Sequence, residues 1–289
     1  MQTLIAATLN GLFMGSLYGL IAVGLSLVFG VMKIINFAHG ALVMVGMYAV
    51  FYMWSLIGLD PYLSLVVVVP VLFLFGYFLQ GKVINPVLKR EFGRNGHAVI
   101  LLTVGLTLVL QNAALLFFGA YYKAAKTFVS GMTWDMGGVV TSVPRLIAGV
   151  VGAIVILGLQ LMLSKTDLGK AIRATGQDRE AAGLMGINDY KIYNIAFGLC
   201  LAILGIAAAL MLPMYYVQPE AGKIFEMRSF VIAVLGGIGS LSGAFYGGLI
   251  VGLIESVTAQ VWSATAAEML IFVVFIGVLL YKPSGLLGK

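Results

Sequence analysis

Two long apolar halves meet at a single polar island, and no other feature restricts the possible folds of this chain so sharply. The island is SKTDLGKAIRATGQDREAAGLMGINDYK, Ser164 to Lys191, and its charges are Lys165, Asp167, Lys170, Arg173, Asp178, Arg179, Glu180, Asp189 and Lys191. On either side lie uncharged runs of the length that a bilayer crossing needs, about 20 apolar residues. Only 10% of the 289 residues are charged and 61% are hydrophobic, whereas soluble domains carry about 25% charge. The expectation is an all-α polytopic membrane protein embedded in a lipid bilayer. Helices are favoured because every backbone polar group must find its partner inside the span.

About eight spans are expected. They cover Leu4 to Phe29, Ala41 to Leu56, Tyr62 to Leu79, Val99 to Phe118, Leu146 to Leu163, Ile192 to Leu212, an interrupted stretch from Ser229 to Ser256, and Met269 to Tyr281. Gly11, Gly15 and Gly19 recur every four residues in the first span and form a smooth stripe for a neighbouring helix. Two places predict broken or re-entrant helices. One is Asn36, Ala38, His39 and Gly40, at the start of a short second span. The other is the small-residue run at Gly236, Gly237, Gly239, Ser240, Ser242 and Gly243. A glycine in a helix interior costs about 1 kcal/mol relative to Ala. Such breaks either permit close packing or offer unpaired N–H and C=O groups to a solute. Asn36, His39, Gly40, Gly237, Gly239 and Ser240 are therefore the candidate pathway residues. A lone His39 beside a helix break fits a packing or hydrogen-bonding role better than a ligand.

With the island inside, the basic residues Lys33, Lys82, Lys89, Arg90, Arg94, Lys282 and Lys289 join the island's five on the inner side. Lys123, Lys126, Arg145, Lys223 and Arg228 remain outside. This bias predicts the N-terminus out and the C-terminus in. The first apolar run has no basic leader and is expected to stay as a span rather than be cleaved. The net charge of +6 lies at membrane edges and not in one stripe, so it does not point to nucleic acid.

Chemistry is sparse. One cysteine, Cys200, and two histidines, His39 and His97, cannot build a metal site, and no catalytic constellation is expected. G-x-x-x-x-G-K-[ST], H-E-x-x-H and G-x-S-x-G are all missing. No carboxylate is expected at the membrane midplane; Glu226 is placed outside, and Glu255 and Glu268 near a boundary. Such a chain does not draw on an ion gradient through its own carboxylates. Within the island, Leu168 to Ala174 predicts one short helix broken at Gly176. Asp178 then predicts the N-cap of a second that stops at Gly186. Ala181, Leu184 and Met185 share a face of that second helix, with Arg179 and Glu180 turned away. A short apolar face with charged flanks suits a groove on a partner protein.

The string EAAGLMGI, Glu180 to Ile187, resembles the EAA-x-x-x-G signature of ABC-importer permeases. The resemblance extends to GLSLVFGVMKIINFAHG (Gly24 to Gly40), AVLGGIGSLSGA (Ala233 to Ala244) and the terminal KPSGLLG. Over nearly its whole length the chain is similar to the permeases of branched-chain amino-acid importers, the LivH type. That likeness implies residues 1–289 as one transmembrane permease domain of the cytoplasmic (inner) membrane, with a cytoplasmic coupling loop at 164–191. It implies coupling through Glu180, Ala181, Ala182, Leu184, Met185 and Gly186. The expected partners are a second permease subunit, two ATP-binding subunits and an extracytoplasmic substrate-binding protein. No cofactor is expected on this chain itself, with ATP and Mg on the partners. Relatives of this kind also handle urea, short amides and aromatic acids. A passive glycine-rich channel is the rival from a different class.

Overall fold

The computed structural model describes residues 2–90, 97–135 and 140–288. Among them the chain forms α1 (Gln2–Met32), α2 (His39–Ile57) and α3 (Leu65–Leu79), which continues through a π turn (Gln80–Ile84) into α4 (Asn85–Arg90). Then come α5 (His97–Phe118), a small hairpin of β1 (Thr133–Asp135) and β2 (Val140–Ser142), and α6 (Val143–Lys165). The island folds as α7 (Asp167–Gln177) and α8 (Arg179–Leu184). The second half is α9 (Asp189–Met211), α10 (Gly222–Gly236), α11 (Leu241–Val261) and α12 (Ala264–Tyr281). Among the described residues, 8 helical stretches are long and apolar enough to cross a membrane, in agreement with the expected all-helical architecture.

The ends of the bundle follow from what converges there. Thr3, Val140, Arg145, Met214 and Gln260 surround one cavity, and Gly30, Lys33, Leu163, Arg173, Ser240 and Leu287 surround another. The first marks an amino end and the second an island end, so the two termini lie at opposite ends. An even number of crossings cannot produce that arrangement. The missing traverse is α10, which has only 15 residues and runs between the loop after α9 and the island end.

Helices α1 and α9 are buried along most of their length, while α5 and α12 are open along nearly all of theirs. The expected glycine stripe is what seats α1, and its partner is α11. A Cβ on Gly11 would stand 2.8 Å from the Gly252 carbonyl oxygen, and one on Gly15 would stand 2.6 Å from that of Gly248. Lipid tails are as apolar as the side chains they would replace. Helices in a bilayer therefore associate through close backbone approach, which only small residues allow. Gly76 of α3 meets the Phe197 carbonyl of α9 in the same way, at 3.0 Å.

Three local expectations change. Lys82, Lys89 and Arg90, beyond the span expected to end at Leu79, are helical and not part of a connecting loop. The π turn bonds Asn85 N–H to the Gln80 carbonyl and lets the helix pass Pro86, which has no N–H to give. Gly176 does not break α7; it lies within the helix and lets α7 rest on the Gly30 carbonyl. The last two apolar stretches begin earlier than the hydropathy suggests, at Gly222 and Ala264. Arg94 and Lys289, used above in placing charge, lie outside the described residues.

Candidate functional site

The island builds a projecting knuckle. Thr166 caps α7, its Oγ1 accepting from Gly169 N–H at 3.1 Å, and Ile172 and Thr175 are buried beneath. Asp178 is extended and its Oδ1 accepts from the N–H groups of Glu180 (2.9 Å) and Ala181 (3.0 Å), the N-cap that its position predicts. Helix α8 ends at Leu184, and Gly186 closes the turn after it, at the stop that the sequence predicts. Gly186 N–H donates to the Gly183 carbonyl (3.0 Å) and Ile187 N–H to that of Ala182 (3.1 Å). This is a Schellman closure, and it needs the left-handed backbone that Gly186 adopts at φ +81°.

The knuckle is braced on one side and bare on the other. Arg179 pairs with Asp189 at the start of α9, and its guanidinium lies over the rings of Tyr190 (5.0 Å) and Tyr193 (5.7 Å). Ala182 is 4% exposed and turned inward, whereas Leu184 is 90% and Met185 82% exposed. Ala181 and Glu180 are exposed with them. Sequence spacing found the apolar face and the turn, but not the Arg179–Asp189 brace. Ten residues separate that pair across two turns, and no helical period connects them.

The candidate pathway residues fall into two separate joints. At the first, α1 ends at Met32, Lys33 takes a left-handed φ of +57°, and Asn36 Oδ1 accepts from Ala38 N–H at 3.0 Å, so that α2 starts at His39. Phe37 N–H donates to Thr103 Oγ1 (3.3 Å) and Thr107 Oγ1 donates to the Phe37 carbonyl (2.9 Å). The freed backbone groups of Phe37 are thus satisfied by α5, in the manner that irregular backbone at membrane depth requires. His39 is fully buried and its Nε2 donates to the Ile21 carbonyl at 3.1 Å. Gly40 packs against Gly222 and Glu226 of α10.

The second joint lies at the island end. Helix α10 stops at Gly236, Gly237 and Gly239 take positive φ, and Ser240 Oγ accepts from Gly243 N–H at 3.1 Å to start α11. The terminal segment closes over it: Leu286 N–H donates to the Leu235 carbonyl (2.9 Å) and Leu287 N–H to that of Gly236 (3.0 Å). Gly239 and Ser240 border a cavity of about 400 Å³ with Lys33 and Arg173.

A third polar centre was not expected. Arg228, placed among outer-loop residues by charge counting, belongs to α10 and pairs with Glu255 of α11 at 3.0 Å. It also donates to the hydroxyl of Tyr18, midway along α1, which in turn lies 3.2 Å from the Tyr215 hydroxyl. Charge is therefore present within the bundle at the depth of its spans. It is tolerated because Arg228 pairs with the Glu255 carboxylate and the Tyr18 hydroxyl. A cavity of about 570 Å³ opens from the amino end onto this cluster, with Asn10, Tyr18, Arg145 and Glu255 on its lining. Asn10 Oδ1 and Glu255 Oε2 have no hydrogen-bond partner among the described residues. No group of three His, Cys, Asp or Glu suited to a metal ion occurs among the described residues. Hydropathy missed the cluster because Arg228, Glu255 and Glu268 lie far apart in sequence and only the fold of α10–α12 brings them together.

Residues 7–279 match the family model described as branched-chain amino acid transport system / permease component. The chain is 36% identical to the high-affinity branched-chain amino acid transport system permease protein BraD of Pseudomonas aeruginosa. That match covers 97% of this chain and 94% of the relative. It is 31% identical to the permease protein LivH of the corresponding Escherichia coli system, over the same shares of the two chains. It is 30% identical to a probable branched-chain amino acid transport permease protein LivH of Methanocaldococcus jannaschii, covering 93% of this chain and 88% of that one. No solved structure matches significantly.

Proposed function

Because this chain belongs to the family of permease components of branched-chain amino acid transport systems, we propose that it carries branched-chain or other hydrophobic amino acids inward as the membrane-spanning subunit of an ATP-driven importer. The island end is cytoplasmic in this reading, with the N-terminus outside and the C-terminus inside, in the cytoplasmic membrane. A second permease subunit, two ATP-binding subunits and an extracytoplasmic binding protein complete the machine, and ATP and Mg are held by the ATP-binding pair. Glu180, Ala181, Leu184, Met185 and the Gly186 turn dock in a groove of one such subunit, with Ala182 as the inward pivot.

The observation that supports this best is the knuckle itself. Two large apolar side chains, Leu184 and Met185, stand almost fully exposed on a turn held rigid by a cap, a Schellman closure and an ion pair. Apolar residues presented in this way fit a partner's groove. Closure of the ATP-binding pair moves the knuckle as a rigid piece, and Gly176 against Gly30 passes that motion to α1. The cavity at the amino end then receives solute from the binding protein, and the joints at Asn36–Gly40 and Gly237–Ser240 flex as the bundle changes its open side.

The test is purification in mild detergent followed by reconstitution. ATP-binding subunits should co-purify with the unaltered chain and be lost with Leu184→Asp, while membrane insertion is unchanged. Uphill amino-acid uptake should need ATP and the binding protein. Flux from the isolated chain without nucleotide would support the channel instead.

A further inference from the structure

A small pocket between α10, α11 and α12 joins a charged pair to an apolar wall. Its volume is about 190 Å³, and Val231, Val251, Ile271 and Phe272 line it beside Arg228 and Glu268. Arg228 is fixed by Tyr18 and Glu255 through its Nη1, while its Nη2 faces Glu268 at 3.8 Å. That spacing is too long for a direct hydrogen bond. The Glu268 side chain is 66% exposed, so the pair stands splayed, with the carboxylate free to turn. The larger cavity from the amino end is bordered by Tyr18 and Glu255. The ionic cluster is therefore a partition, with a polar chamber on one face and an apolar pocket on the other. Exposed ion pairs contribute little to stability, and ionisable residues within spans mark solute paths.

We propose that this pocket recognises the solute as a zwitterion, with its carboxylate on Arg228, its ammonium on Glu268 and its branched side chain against Val251, Ile271 and Phe272. The proposal rests on the amino-acid importer reading and adds the residues that select the solute. An α-amino acid carries both charges about one carbon atom. A cation and an anion already facing each other across a gap suit that head group and no singly charged one. Its entry exchanges one long contact for two charge-assisted hydrogen bonds. A solute lacking either charge leaves the Nη2 of Arg228 or the carboxylate of Glu268 without a close partner and is rejected. The apolar wall takes up the side chain by removing it from water.

The complete transporter in proteoliposomes tests this, with leucine as the probe. Glu268→Gln keeps the shape and removes the charge. Leucine uptake should fall roughly tenfold or more, with ATP hydrolysis stimulated by the loaded binding protein retained. Phe272→Ala widens the wall and should shift the uptake ratio from leucine towards phenylalanine. Binding is read separately in the assembled complex through Ile224→Cys at the pocket edge, since Cys200 is buried and silent to maleimide. Excess leucine should slow its labelling, and 4-methylpentanoate, which lacks the ammonium, should not. Wild-type leucine uptake with both variants unchanged in rate and selectivity overturns the pocket and leaves the importer reading standing. Equal protection by 4-methylpentanoate also overturns the pocket. A wild-type complex that moves no amino acid overturns both.

Discussion

Asp178 and Gly186 bracket a six-residue helix too short to persist alone. An isolated helix of fewer than about 12 residues is marginal in water, so α8 depends on its ends. Asp178→Ala removes the acceptor for two N–H groups and should cost about 1 kcal/mol locally. The check is faster amide exchange at Glu180 and Ala181, with weaker retention of the ATP-binding partner. Gly186→Val places a β-branched side chain at a positive φ, where it is strained, and should unseat Leu184 and Met185. Uptake should collapse in that variant while the protein still inserts, measured by transport against membrane yield. Arg179 takes a part that its place in the motif does not announce. Its charge is spent on Asp189 and two tyrosine rings, leaving Glu180 as the exposed charge of the turn. At this scale the cap and the turn were legible from residue type and spacing. The brace was not, because it joins two elements.

The contact between α1 and α11 illustrates what holds elements together in lipid. Gly11 and Gly15 face Gly252 and Gly248, and any side chain at these positions meets backbone rather than a movable side chain. Gly248→Leu should prevent the two helices from seating, with loss of monodisperse protein in size-exclusion chromatography; Gly277→Leu on α12, where an added Cβ meets nothing within 4 Å, should leave it unchanged. The four-residue glycine spacing announced a close neighbour, but its identity, 230 or so residues away, could not follow from spacing. Helix α10 is the instructive element. It is too short for hydropathy to count as a crossing and it carries Arg228, so composition alone assigned part of it to an outer loop. Its termini are completed by other elements: Gly40 packs at one end, and the Leu286 and Leu287 N–H groups fill the carbonyls at the other.

For the whole molecule, the proposed orientation can be checked from both sides with the same chemistry. Cys200 is the single cysteine and is buried, so a new thiol reports alone. Leu184→Cys should react with an impermeant maleimide only after cells are opened, and Thr3→Cys should react in intact spheroplasts. The reverse pattern would place the knuckle outside and remove the basis of the coupling role. By itself the sequence determined the class of molecule, because long uncharged runs have one stable home and must satisfy their backbone as helices. It also determined the knuckle, which is built from contiguous residues. Only the tertiary structure decided that a ninth, short traverse separates the two termini, and that Arg228, Glu255, Glu268 and Tyr18 form one cluster between two cavities. The physical reason is separation along the chain. Caps, turns and apolar periods are local and are written in adjacent residues, whereas a charge inside a membrane is tolerated only by partners that the fold brings from elsewhere.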